Sequence, residues 1–137
     1  GADLSRARFD RADLSGADLA GANLEQAGLN QADLEGAELG GARLSHAKLS
    51  DARLHGAKLH NADLAEASLN GADLSTARLP GARLVRAKLR KADLRGADLQ
   101  GADLSGADLR GAVLYHTNLR GAKLAGAKVS AEQLAQP

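Results

Sequence analysis

Apolar residues recur along this chain in groups of five. Every position of the form 5n+2 from Ala2 to Ala127 is Ala, except Thr117. Every position 5n+4 from Leu4 to Val129 is Leu, except Phe9 and Val129. The three intervening positions are polar or Gly almost throughout, and no insertion breaks the phase between Ala2 and Lys128. In an α-helix a five-residue step rotates the side chain by about 140°, so the Leu series would spiral around the axis and form no stripe. Ala and Leu, two apart, would also face different sides. Extended backbone puts residues two apart on one face, so Ala-x-Leu directs both apolar side chains inward and the middle residue outward. The last two residues of each word must then turn the chain. Leu79-Pro80-Gly81-Ala82 carries Pro second and Gly third, the preferred chemistry of a type II turn. Each word therefore reads as a very short strand followed by a corner.

A fixed period of this kind marks a repeat architecture, in which each unit contacts mainly its neighbours. The tandem Ala-(Asp/Asn)-Leu-x-x words, plainest at Ala97-Asp98-Leu99-Gln100-Gly101 and Ala102-Asp103-Leu104-Ser105-Gly106, resemble the pentapeptide repeat proteins from Ala2 to Lys128. The resemblance implies an all-β fold: a right-handed, four-sided parallel β-helix with four words, or 20 residues, per coil. The chain would then make about 6.5 coils and a rod roughly 31 Å long. Residues 1–129 are expected to form this solenoid and residues 130–137 a short cap or tail.

Two of the four columns of corner residues favour positive φ, since they read Gly21, Gly41, Asn61, Gly81, Gly101, Gly121 and Gly16, Gly36, Gly56, Thr76, Gly96, His116. Type II turns are expected on those sides. The other two columns begin Arg6, Gln26, His46, Glu66, Arg86 and Arg11, Gln31, Asp51, where type I or irregular corners are expected in the early coils. Phe9 reads as a larger core filler. Thr117 is expected to hydrogen-bond a neighbouring backbone carbonyl. After Val129, Ser130-Ala131-Glu132-Gln133 has the spacing of a capping box, which predicts a helical turn from Ala131 to Gln136 that lays Leu134 over the last coil. The first coil has no such cover. Its edge is prone to pair with another chain, and end-to-end or edge self-association is expected there, or else an upstream segment that has been removed.

Composition narrows the function. There is no Cys, so disulfides and thiolate metal sites are absent, and no apolar run is long enough to span a membrane. With no targeting segment visible in this start at Gly1, a cytoplasmic location is expected. Phe9 and Tyr115 are the only aromatic residues, too few for a nucleobase-stacking platform. The net charge is +1 and favours no particular partner.

Sorting outward residues by a 20-residue coil makes the rod electrically lopsided. One side carries Arg8, Arg11, Lys48, Lys88, Arg90, Lys91, Arg110 and Lys128 against Asp10, Asp51 and Asp108. The next carries Asp13, Asp33, Glu35, Asp73 and Asp93 against Arg53 and Arg95. One column alternates as Arg43, Asp63, Arg83, Asp103, Lys123, and Arg53 falls between Asp33 and Asp73, so charges should pair between coils.

The aspartates sit singly on a convex wall, which gives paired-carboxylate catalysis no cleft. His46, His55 and His60 fall on three different sides, and with His116 they read as solvated histidines. The glycines turn corners and open no helix, so no phosphate loop is present. The expectation is a non-enzymatic rod without catalytic, cofactor or metal residues, which acts as a protein–protein interaction scaffold. The basic and acidic sides are its candidate interaction surfaces and Tyr115 is a candidate contact. The resemblance also implies an alternative, a DNA mimic that binds type II topoisomerase such as gyrase. The balanced charge and short tail depart from that pattern. A third reading has the basic side bind nucleic-acid phosphates weakly; the scarcity of aromatics and the flat walls argue against it.

Overall fold

The computed structural model describes all 137 residues. Successive coils pair in parallel through residues 20 apart, from Asp3 with Asn23 to Asp108 with Lys128. Four such columns of pairs stack along the chain. Each paired residue is the middle one of Ala-x-Leu, and its two apolar neighbours point inward.

Thirty-eight residues from Ala22 to Leu114 form one buried cluster made only of Ala and Leu, with no buried polar or charged residue. Each buried Leu contributes about 2 kcal/mol. Leu4, Phe9, Leu14 and Leu19 at one end and Leu119, Leu124 and Val129 at the other are half-buried against this cluster. Phe9 thus occupies a core position, as its place in the pattern predicts. Thr117 Oγ1 donates to the Leu94 carbonyl at 2.7 Å, which satisfies its hydroxyl in the inward series.

The word from Ala72 to Thr76 shows how a five-residue unit satisfies its five N–H groups. The Ala72 N–H donates to the Leu69 carbonyl at 3.0 Å and closes a turn. The Asp73 N–H reaches back to Ala52 at 2.9 Å, while Leu74 and Thr76 donate forward to Asp93 and Arg95 at 2.8 and 2.9 Å. The Ser75 N–H has no backbone partner and donates to Asp73 Oδ1 at 3.0 Å. Four groups are therefore dictated by backbone register, and the fifth is left to a side chain or to water.

The corners correct one sequence expectation. All four columns turn alike, with a positive φ at the third residue of the turn. This includes Arg6 at 62°, Gln26 at 59°, His46 at 59°, Arg86 at 56°, Arg11 at 63° and Asp51 at 59°, where type I or irregular corners were expected. A left-handed non-glycine residue costs about 1–2 kcal/mol. A different turn would break both the i→i+3 bond and the forward bond to the next coil, each about 1 kcal/mol, and would displace the following Ala and Leu from the core. The ladder wins over local preference.

The C-terminal turn, helix α1 (Ala131–Leu134), begins with the predicted capping box: the Ser130 side chain accepts from the Gln133 N–H, and the Gln133 side chain accepts from the Ser130 N–H. It is shorter than the expected span to Gln136. It also covers the last coil differently, because Leu134 is 46% exposed. The contact is polar. Gln133 Nε2 donates to the Leu109 and Ala112 carbonyls at 2.6 and 3.0 Å, the Leu114 N–H donates to Gln136 Oε1 at 2.8 Å, and the His116 N–H donates to the Pro137 carbonyl. An open coil edge offers backbone donors and acceptors, and side-chain amides match these better than a leucine side chain can. No helix is long and apolar enough to cross a membrane.

Candidate interaction surfaces

The outward positions are the second, fourth and fifth residues of each word. They fill four walls without an enclosed cleft. Their chemistry begins with the aspartates. Eleven of the twelve, all but Asp51, accept a backbone N–H, ten of them from the residue two further on. Asp10 instead accepts from Asn30 one coil away at 2.9 Å. Asn23 and Asn118 repeat the local bond to Glu25 and Arg120. The carboxylates of the repeated words thus supply the partner for the fifth N–H of the word. Sequence reading missed this role. Ten of the 26 words carry Asp as their second residue and two carry Asn, and the word with Arg78 there has Pro80, which lacks an N–H, two residues later.

These bonds stabilise the ionised carboxyls. The Ser5 and Ser15 hydroxyl and amide groups hold Asp3 and Asp13 below the usual range, and Ser105 does so for Asp103. The Arg95 side chain lowers Asp93. Asp108 is held at about 2, chiefly by hydrogen bonds from the Arg110 guanidinium.

On the acidic wall, the structure covers charge that the sequence leaves bare. Arg53 lies 3.6 Å from Asp33 and 3.2 Å from Glu35. Arg95 grips Asp93 at 2.6 Å, and the guanidinium is 62% exposed while the carboxylate is 24% exposed. Asp73 accepts from the Ser75 hydroxyl, and Asp13 from the Ser15 hydroxyl. Arg53 does not pair with Asp73. In the alternating column only Arg83 and Asp63 form an ion pair, at 3.3 Å, because Arg43 turns to Glu25 instead. Arginines in mid-strand thus reach the corner glutamate of the preceding coil as readily as the residue directly stacked on them.

The basic wall behaves oppositely. Arg8, Arg11, Lys48, Lys88, Lys91 and Lys128 have no ion-pair partner, and Arg11 donates to Gln31 Oε1. Arg90 and Arg110 share Asp108 at 3.9 and 2.7 Å, and that carboxylate is only 16% exposed. A shallow hollow of about 390 Å³ lies at the corner of this wall, lined by Ser50, Asp51, Asn70, Gly71, Arg90 and Lys91. The Asp51 carboxylate lies over Gly71, where a Cβ would approach it within 2.3 Å, and Asn70 Oδ1 accepts the Arg90 N–H at the edge of the hollow.

The histidines each meet a different neighbour. His46 Nε2 lies 3.0 Å from Glu66 Oε2, and His55 Nδ1 lies 2.9 Å from Ser75 Oγ. The His60 ring covers Gly40, where a Cβ would approach within 2.3 Å. No group of three or more His, Asp or Glu residues is arranged to hold a metal ion. Tyr115 is 45% exposed and lies in the outward series of the acidic wall.

The family profile described as pentapeptide repeats matches in eight copies, over residues 1–26, 27–64, 57–96 and 92–130. Among solved structures, HetL from the cyanobacterium Nostoc sp. strain PCC 7120, a pentapeptide repeat protein involved in heterocyst differentiation regulation, is 39% identical with a TM-score of 0.59; the match covers 92% of this chain and 63% of that one. Rfr23 from the cyanobacterium Cyanothece 51142 is 39% identical with a TM-score of 0.63, over 65% and 60% of the two chains. A pentapeptide repeat protein of the Arabidopsis thaliana thylakoid lumen is 33% identical with a TM-score of 0.70, over 71% and 68%. The present chain thus spans less than two thirds of HetL and Rfr23. No curated protein matched the sequence. With repeats matched almost from end to end and coils paired every 20 residues, the chain belongs to the pentapeptide repeat protein family.

Proposed function

We propose that this chain is a non-enzymatic protein-interaction rod, with residues 1–129 as the binding scaffold and residues 130–137 as its cap. The observation that carries this reading is the division of labour among charged side chains. The aspartates are committed to backbone N–H groups, and the lysines of one wall are left to water. Catalysis by carboxylates needs a pair aimed at a shared substrate position, and these point along the wall. A rigid surface with an uneven charge pattern suits recognition of another macromolecule. Likeness to HetL, a protein involved in regulation, agrees with a role exercised by binding, although the present chain is much the shorter.

The DNA-mimic alternative loses support from the same geometry, since arginines cover Asp33, Glu35 and Asp93. The test is affinity capture from the source cells with the immobilised full chain. The expected result is one or a few proteins enriched by about tenfold or more over bare resin. Enrichment of none would overturn the interaction reading. A gyrase supercoiling assay serves the alternative: inhibition or protection at micromolar rod would replace the scaffold with the mimic.

A further inference from the structure

We infer that the C-terminal half of the basic wall, Lys88, Arg90, Lys91, Arg110 and Lys128 together with the hollow above Gly71, is a docking face for an extended acidic polypeptide segment. This inference rests on the interaction reading and names the surface and the partner chemistry.

Charge is the first argument. This half carries two carboxylates: Asp108, drawn inward by two guanidiniums, and Asp51 at the hollow, against five cations. The Arg110 side chain remains 52% exposed and Arg90 56% exposed while they hold it. Lys88, Lys91 and Lys128 have no carboxylate within ion-pair distance. Lys88 pairs through its backbone with Asp108, and Asp108 with Lys128, so the two lysines stand one coil to either side of the covered acid in the same column. An anionic partner therefore meets cations that need not first release a partner. The N-terminal half differs: Arg11 is engaged with Gln31, and the Asp10 carboxylate lies beside Gly28 between Arg8 and Lys48.

Dimensions are the second argument. Lys88 and Lys128 are two coils apart, about 10 Å. Alternate side chains of an extended peptide are about 6.7 Å apart on one face, so two or three carboxylates match this span. The hollow of about 390 Å³ gives the segment a place to seat one side chain between Asn70, Arg90 and Lys91. Asp51 Oδ1 lies over Gly71, so repulsion favours an incoming carboxylate on the Arg90 and Lys91 side of the hollow.

A nucleic acid fits less well. The wall carries no aromatic side chain for stacking and no element that protrudes into a groove. A patch of this size reaches only a few phosphates, and so few contacts give binding that physiological salt suppresses.

The experiment uses the full chain and a fluorescein-labelled peptide of about a dozen residues alternating Glu and Ser, so that its carboxylates share one face. Anisotropy titrations run at about 0.15 M salt. The triple variant Lys88→Glu, Lys91→Glu, Lys128→Glu is expected to weaken binding by more than about tenfold, and Arg8→Glu, Arg11→Glu, Lys48→Glu by less than about threefold. Circular dichroism melts check both variants. If charge reversal lowers the melting temperature, Lys→Gln at the same three sites replaces it, with the same order of effects expected. No binding by the wild type, or equal losses in both variants, would overturn the inference. Tighter binding of a duplex of about 20 base pairs would also overturn it and make this a nucleic-acid surface. Cellular proteins that remain captured by the lysine variant would leave the interaction function standing and remove this face from it.

Discussion

Thr76 carries the clearest local conflict in the chain. It is β-branched, yet its φ is 55°. Glycine occupies the same corner one coil earlier and later, at Gly56 and Gly96, with φ of 66° and 67°. The Thr76 side chain makes little to offset the strain, since its hydroxyl lies 3.4 Å from His55 Nδ1 and the methyl faces Gly96. Thr76→Gly is expected to raise stability by about 1 kcal/mol in urea unfolding, because glycine has no Cβ to clash in the left-handed region. The inward and outward series make the opposite contrast. Leu64 is fully buried, and Leu64→Asp is expected to cost several kcal/mol by placing a charge in a dry stack. Neighbouring Asp63→Ala is expected to cost about 1 kcal/mol, through the Ala65 N–H it satisfies and its ion pair with Arg83. Equal shifts in thermal melts would mean that the two faces are misassigned. Which residues are inward was legible from the period alone. The aspartate role was not, because the unmatched fifth N–H becomes apparent only once the other four have been placed.

The coil and the cap share one physical problem at the level of elements, which is the backbone polarity of a stacked edge. Inside the rod each coil satisfies its neighbour. At the C-terminal end Gln133 and Gln136 do so with side chains. Gln133 serves twice, in the capping box of α1 and on the Leu109 and Ala112 carbonyls. Gln133→Ala is therefore expected to lower global stability by about 1 kcal/mol and to speed amide exchange at Leu114 and His116 more than at Leu64. Uniform acceleration along the chain would show that the cap acts on the whole rod and not on its last coil. The capping box was legible from Ser130 and its spacing to Gln133. That the cap is polar was not, since a lone Leu134 after an apolar repeat reads naturally as cover for the core.

For the whole molecule, acid is the informative variable. Five aspartates, Asp3, Asp13, Asp93, Asp103 and Asp108, have lowered pKa values in the folded state. A carboxyl whose folded pKa lies below its unfolded value stabilises the fold above the unfolded pKa, about 3.9, and loses that contribution as pH falls through the folded pKa. For Asp108 the folded value is about 2. The melting temperature is expected to be flat from about pH 7 to 5 and to fall between about pH 4 and 2. Asp108→Asn should flatten part of that fall while costing less than about 1 kcal/mol at neutral pH, given how exposed its arginine partners are. A pH profile identical to that of the wild type would contradict the assignment of Asp108 as a contributor.

The sequence by itself determined the inside of this protein. A strict alternation of Ala and Leu at a five-residue period admits one burial pattern, because only extended words with corners bring both series to a shared axis. With the 20-residue coil that the family resemblance implies, it also sorted the charges onto their walls. The tertiary structure decided the corners and the pairing of charges. Left-handed Arg, Gln, His and Glu residues are held there by hydrogen bonds to residues 19 positions away, which no local preference encodes. Likewise Asp33 and Asp108 count as equal charges on paper, yet arginine side chains cover both while Lys88, Lys91 and Lys128 stand free. Charge becomes a binding surface only where the folded neighbours leave it unpaired.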